Sequence, residues 1–232
     1  MQMEDKRAQV RENYARIAAN IAEAADKSGR RPEDIAFMAV TKTVDPVLVN
    51  EAIDCGIRLL GENRVQEWQS KREAYRPGIP VDFIGALQAN KVKYLVGQVR
   101  LIQSIDRLSL AKEVERIAAK RELVQDILLE VNIGGEETKS GVTPEGLPAL
   151  LDEVAELPHV RVRGLMTIPP PTSDTRFLEA MQALFLRMQE RPGADLSILS
   201  MGMSGDYAEA IRFGSNLVRV GSALFGARHY PT

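Results

Sequence analysis

Lys42 closes the apolar run Ile35-Ala36-Phe37-Met38-Ala39-Val40-Thr41. A strand built that way is expected to be buried, so a charge at its carboxyl end calls for a reason. In a closed parallel barrel, chemistry is placed at the carboxyl ends of strands. A lysine there can shed its proton on desolvation and attack a carbonyl to form a Schiff base. Taken alone, the residue reads rather as a lysine whose stem snorkels along the strand end to water.

The second group with chemical potential lies near the other end of the chain. Leu199-Ser200-Met201-Gly202-Met203-Ser204-Gly205-Asp206 places small residues and a hydroxyl where one strand hands over to a helix, and Val218-Arg219-Val220-Gly221-Ser222 repeats the pattern at the next. Loops after the last two strands of such barrels are a recurring phosphate site. Glycines let the backbone approach an anion, while amides and the Ser204 and Ser222 hydroxyls donate to it. Each motif alone reads as readily as a helix cap or an eased turn. With Lys42 they describe an amine beside a phosphate grip, which suits pyridoxal phosphate or a Schiff-base sugar-phosphate aldolase. Arg219 alternates with Val218 and Val220, so it faces the barrel interior if those valines pack on helices. There it needs an acceptor: either a pyridine nitrogen, left unprotonated by a donor that keeps its own proton, or a strand carboxylate such as Glu130.

Alternating elements are expected to position these groups. A leading helix is predicted over 4–27, where Val10, Tyr14, Ile17 and Ile21 recur at helical spacing before Ser28-Gly29. Strands follow over 34–41, 58–61, 81–87, 99–105, 126–133, 160–168, 196–201 and 217–221. Between them come helices over 45–55, with Asp45 as N-cap and Pro46 in the first turn, then 62–74, from 90, 107–121, 144–156, 175–189 and 204–213, and a last turn near Ala223. Eight strand–helix repeats favour a (β/α)8 TIM barrel with an extra N-terminal helix over an open sheet. The repeats use up residues 1–232, so one domain is expected.

Composition narrows the function classes. The chain has 232 residues and a formal charge of −2, which offers no electrostatic case for nucleic acid or an anionic membrane. A lone Cys55 excludes an internal disulfide framework and, with only His159 and His229, a zinc cluster. The charged amino terminus and the lack of a long apolar run point to a soluble, cytoplasmic protein. Glu62 and Glu67 are five residues apart, do not share a helix face, and read as solvated or capping groups. Lys139-Ser140-Gly141 reads as a mobile loop offering a transfer lysine, and Trp68 as core. His159 and His229 read as structural or surface groups.

The ordered motifs also carry a resemblance. Ala39-Val40-Thr41-Lys42, Gly61-Glu62-Asn63 with Val65-Gln66-Glu67, Phe83 to Lys91 and Lys139-Ser140-Gly141 are followed by Arg163-Gly164-Leu165-Met166, Leu199 to Ser204, Val218 to Gly221 and Phe225-Gly226-Ala227-Arg228. Across nearly the whole chain this resembles the pyridoxal-phosphate homeostasis protein family, itself similar to the barrel domain of alanine racemase. The resemblance implies a pyridoxal 5'-phosphate-binding protein of intracellular cofactor homeostasis, without an established catalytic reaction. It implies Lys42 as the Schiff-base lysine, Met203, Ser204, Gly221 and Ser222 in the phosphate-binding region, Asn63 beside the cofactor, and Arg219 as the ring-nitrogen partner. A carrier that buffers the aldehyde and delivers it to apo-enzymes is the expected role. The rivals are an amino-acid racemase or lyase, an aldolase, and a regulatory barrel whose cofactor gates a protein partner. Tyr207 and Tyr230 are the tyrosines nearest the predicted phosphate end, and neither is clearly placed as a second base. One departure stands out: Asp82 occupies a position where the family usually has histidine. Arg64, where an aromatic is common, is expected on a solvated face.

Overall fold

The strands are short, strongly apolar and separated by helices, a pattern that can bury both faces of a sheet only by wrapping it in helices. The computed structural model describes residues 2–226. Ala227, Arg228, His229 and Tyr230, to which the sequence drew attention, lie outside them. Eight strands pair in chain order into a closed barrel: β1 (Ala36–Val40), β2 (Leu60–Glu62), β3 (Val81–Phe83), β4 (Leu101–Ile105), β5 (Gln125–Val131), β6 (Val160–Thr167), β7 (Ile198–Ser200) and β8 (Leu217–Val220). The registered pairs are parallel, as expected of the (β/α)8 class.

The chain divides into two compact units, one built from the residues up to Pro80 together with those from Gly202 on, the other from Val81–Met201. In the first, α1 (Met3–Lys27) buries Val10, Ile17 and Ile21 of the predicted stripe together with Ala24, while Tyr14 is half-buried. It lies against α2 (Pro46–Cys55), α7 (Tyr207–Arg212) and α8 (Ser222–Phe225). The buried Glu51 carboxylate of α2 takes Arg7 Nε at 2.6 Å and Arg11 Nη1 at 2.7 Å, fixing α1 over α2. Asp45 caps α2 as expected, accepting from the Val47 amide at 2.9 Å with Pro46 in the first turn.

The second unit holds β3 to β7 with α4 (Leu108–Lys120), α5 (Leu147–Ala155) and α6 (Arg176–Gln189). Leu101, Leu128 and Met166, from three adjacent strands, form a buried cluster with Ile198 against it. Burying each such side chain contributes about 1.5–3 kcal/mol relative to leaving it in water.

Several boundaries differ from the sequence reading. Strand pairing after Val81 stops at Phe83, and the helix expected from 90 is a 3₁₀ turn, Ala89–Tyr94. The helix expected over 62–74 is shorter: α3 spans Val65–Lys71, with a 3₁₀ turn over Arg72–Ala74. The strand expected over 58–61 is β2 at 60–62, Glu62 joining it rather than the helix, where the Thr41 and Leu60 amides donate to the Gly61 and Pro80 carbonyls.

Candidate functional site

Lys42 stands two residues beyond the end of β1, half-buried. Thr41, wholly buried, anchors the backbone before it: its amide donates to the Gly61 carbonyl at 3.0 Å and its hydroxyl to Glu62 Oε1 at 2.6 Å. Thr43, after it, has φ of +61°, a left-handed conformation that is an outlier for a β-branched residue. The Thr43 amide donates to Glu67 Oε1, and Lys71 Nζ donates to the Thr41 carbonyl at 3.4 Å. Glu67 and Lys71 are themselves paired at 2.5 Å along α3. Expected as a solvated or capping group, Glu67 instead reaches the turn that displays Lys42. Burial pushes its pKa up, but the Lys71 ammonium and the Thr43 amide outweigh that and hold it below the ordinary glutamate range.

The β7 and β8 exits converge on Ser204. Its Oγ accepts from the Gly221 amide at 3.2 Å and the Ala223 amide at 3.1 Å. Ser204 therefore does not cap α7, which begins only at Tyr207; it clasps the turn into α8. Gly202 has φ of +93°, and its carbonyl accepts from the Arg219 amide at 2.9 Å. The Met203 amide donates to Asp206 Oδ1 at 2.7 Å, closing the 203–206 turn. At Gly221 an added Cβ would press on Val40 Cβ at 3.3 Å, so the glycine lets the β8 exit approach the end of β1. The β1–β8 register, Ala39 opposite Val220, puts the Lys42 turn and the Gly221 turn at the ends of neighbouring strands. Ser222 opens α8 and is exposed. Arg219 is buried between the equally buried Val218 and Val220.

Two polar groups, one closing β2 and one just after it, strengthen the case for a ligand. Asn63 is half-buried, and its Oδ1 is buried without a hydrogen-bond partner. Such an orphan acceptor in a native fold calls for a partner. Glu62, at the last position of β2, has no exposed surface; Oε1 accepts from Thr41 and from the Tyr75 hydroxyl at 2.7 Å, while Oε2 has no partner. Burial raises its pKa above the ordinary glutamate range, with the Thr41 and Tyr75 hydrogen bonds opposing the shift. The sequence reading of a solvated or capping Glu62 is thereby corrected. An amine at the β1 end, a hydroxyl clasping backbone amides at the β7 and β8 exits, a buried guanidinium on β8 and an orphan amide oxygen after β2 fit a group carrying an aldehyde and a phosphate.

Other singled-out residues have different work. Asp82 is fully buried in the second unit, where Arg100 donates to both carboxylate oxygens at 2.7 and 2.6 Å and Gln103 Nε2 donates at 2.7 Å. Burial pushes its pKa up and the Arg100 guanidinium pulls against it. The three donors that converge on it favour the ionised carboxylate and oppose the upward shift. Gln103 in turn accepts from Ser200 at 2.7 Å. Arg100 immediately precedes β4, so the pair ties β3 to the entry of β4. His159 Nδ1 pairs with Glu115 at 2.8 Å on α4. Lys139 pairs with Glu136 in a loop tied down by the Asn132 side chain, which donates to the Glu136 carbonyl at 2.8 Å. The Tyr207 hydroxyl accepts from Asn20 on α1 at 2.9 Å. Trp68 is buried, and Arg64 is exposed ahead of α3. Among the described residues no group of three or more His, Cys, Asp or Glu side chains is arranged to hold a metal, and no helix is long and apolar enough to cross a membrane.

Comparison with known proteins points the same way. The family model for the alanine racemase N-terminal domain matches residues 13–229. The pyridoxal phosphate homeostasis protein of Aquifex aeolicus (strain VF5) is 44% identical over 224 residues, covering 94% of this chain and 98% of the relative. A crystal structure of a protein of unknown function from Bifidobacterium adolescentis superposes with a TM-score of 0.89 at 32% identity, over 97% of each chain. PipY of Synechococcus elongatus PCC7942, solved with pyridoxal phosphate bound, gives a TM-score of 0.74 at 31% identity over 89% of this chain and 100% of that one. The likeness runs through both chain ends that build the Lys42 and Ser204 turns, and on it the chain belongs to the pyridoxal phosphate homeostasis proteins, within the alanine racemase N-terminal domain family.

Proposed function

We propose that this chain binds pyridoxal 5'-phosphate with Lys42 as its covalent attachment point, and serves to buffer the cofactor and deliver it to apo-enzymes. The observation that carries the reading is the register of β1 and β8, which sets the Lys42 turn beside the Ser204–Gly221 clasp. Attachment joins the Lys42 Nζ to the aldehyde carbon as C=N, with the carbonyl oxygen leaving as water. A relative solved with pyridoxal phosphate bound supports the choice of ligand. When bound, that group supplies a conjugated imine able to absorb in the visible and to accept electrons from an attached amino acid.

The chain's own residues divide the remaining tasks. The Ser204 hydroxyl and the backbone of Met203, Gly221 and Ser222 receive the phosphate, the Met203 and Gly221 amides exchanging their bonds to Asp206 and Ser204 for it. Arg219 donates to the ring nitrogen; a guanidinium does not give up its proton, so the ring stays a weak electron sink, which favours holding over turnover. Asn63 contributes its unpartnered amide oxygen beside the ring. Tyr207 is packed toward α1, where its hydroxyl accepts from Asn20, and no role as a second base is assigned to it. The reading treats the chain as one cofactor-binding domain and places it in the reducing cytoplasm, in keeping with its lone thiol, Cys55.

The test is the visible spectrum of the purified protein with added cofactor, beside Lys42→Ala. A band that is bleached by borohydride, with the reduced adduct mapped by mass to the Lys42 peptide and absent from the variant, is the expected result. A reduced adduct of equal yield in Lys42→Ala would overturn the attachment. Stoichiometric exchange with an apo-enzyme and no turnover of amino acids is expected of a carrier; sustained turnover would replace it with an enzyme.

A further inference from the structure

The Glu67–Lys71 pair is an i,i+4 ion pair on a short helix, a device usually found on solvated faces and of little consequence there. Here both side chains are only 16% exposed, and each also hydrogen-bonds to backbone. Glu67 accepts the amide of Thr43, and Lys71 donates to the carbonyl of Thr41. The two contacts fall on either side of Lys42, one to each flanking residue. Thr43 keeps a positive φ of 61° although its side chain is β-branched and the residue is exposed. A sparsely populated conformation of that kind persists only where surrounding contacts over-determine it. The Val44 amide, donating to the Thr41 carbonyl at 3.1 Å, closes the turn itself, and the contacts that brace it from outside are those from α3.

We propose that Glu67 and Lys71 are positioning residues for Lys42: their ion pair holds the Thr41–Thr43 turn in its strained shape and so sets the direction in which the Lys42 amine leaves β1. The inference rests on the attachment proposed at Lys42. Thr41, gripped on its other side by Gly61 and Glu62, cannot follow a movement of the turn, so a released Thr43 swings the Lys42–Thr43 peptide instead. A misaimed amine forms its bond more slowly and holds it less well, because a supporting shell that loosens by about 1 Å costs an order of magnitude or more at the group it supports.

Glu67→Ala is expected to raise the apparent Kd for pyridoxal phosphate, read from the visible band, about tenfold and to slow formation of the band by a similar factor. In the cofactor-free protein the Thr43 amide, protected in the parent, exchanges rapidly in the variant. Adding Thr43→Gly to Glu67→Ala recovers about threefold of the lost affinity, since glycine adopts the left-handed conformation without the penalty. A general loss of packing would not respond to that second change. If Glu67→Ala does not fold, Glu67→Gln and Lys71→Met are used: the first keeps an acceptor for Thr43 and loses less affinity than the second loses for Thr41 and Glu67 together. Parent-like affinity and parent-like Thr43 exchange in a folded variant would overturn the proposal, as would a loss unchanged by Thr43→Gly. Failure of the attachment reading is separable. Without a borohydride-reducible adduct at Lys42 in the parent the attachment falls, while Thr43 exchange still reports on the clamp.

Discussion

Glu62 has no exposed surface, and of its two carboxyl oxygens one takes hydrogen bonds from Thr41 and Tyr75 while the other takes none. Ionised, such a group would be buried with half its lone pairs unmet, at a cost of several kcal/mol. Burial therefore raises its pKa, and raises that of Tyr75 as well, with the neighbouring Glu62 adding to the shift, so the phenol remains a donor. The sign of the consequence follows. The folded chain holds a proton on Glu62 that the unfolded chain has already released, so stability falls as pH rises from the ordinary glutamate range through the raised pKa. Glu62→Gln removes this titration. Thermal melts between about pH 4 and pH 8 are expected to show a shallower decline for the variant than for the parent. Parallel curves would mean that Glu62 does not titrate in that window.

At the scale of elements, the exit of β7 depends on one residue without a side chain. An added Cβ at Gly202 would lie 2.6 Å from Ala210 Cβ and 3.1 Å from Tyr207 Cα, pushing α7 away, and its φ of +93° disfavours any L side chain. Its carbonyl also takes the Arg219 amide, so a shift there is felt on β8 and at the Ser204 clasp. Gly202→Ala is expected to lower the unfolding free energy by about 2 kcal/mol, measured by urea titration, and to weaken phosphate retention together with it. Unchanged stability would mean that α7 slides without cost. The same element shows why its start was misplaced from sequence. Ser204 looks like an N-cap before an apolar-periodic segment, but its hydroxyl serves the turn after β8, and the helix waits until Tyr207.

For the molecule as a whole, the residues offered for cofactor binding belong to the unit formed by the two ends of the chain, and the buried Asp82 pair to the other. Asp82 and Arg100 join β3 to the entry of β4, and Gln103 and Ser200 extend the chain of hydrogen bonds to β7. Removing the charge in Asp82→Asn leaves Arg100 half-partnered. The expected loss is about 2 kcal/mol of stability, below the usual cost of breaking a buried pair because Arg100 reaches water. The visible band with pyridoxal phosphate is expected to keep the parent's apparent Kd below the melting temperature. A large change in affinity at unchanged stability would move Asp82 into the cofactor's environment and revive the histidine comparison.

The strand–helix alternation, the leading helix, the Asp45-Pro46 start of α2 and the existence of turns at Lys42 and Ser204 were legible in the sequence. Each depends on residues near one another in the chain: apolar period, capping chemistry, small residues at a strand exit. What became of Glu62, Glu67 and Asp82 was not legible. Whether a carboxylate is buried, and which group faces it, depends on register between strands and on helices brought against them from 18 to 24 residues away, as in Arg100 on Asp82, Thr41 on Glu62 and Thr43 on Glu67. Local propensity carries no information about such pairings, because their energy comes from desolvation and geometry that exist only once the sheet has formed. The sequence by itself determined the alternation of strand and helix that closes the barrel; the tertiary structure decided which carboxylates are buried and what faces them.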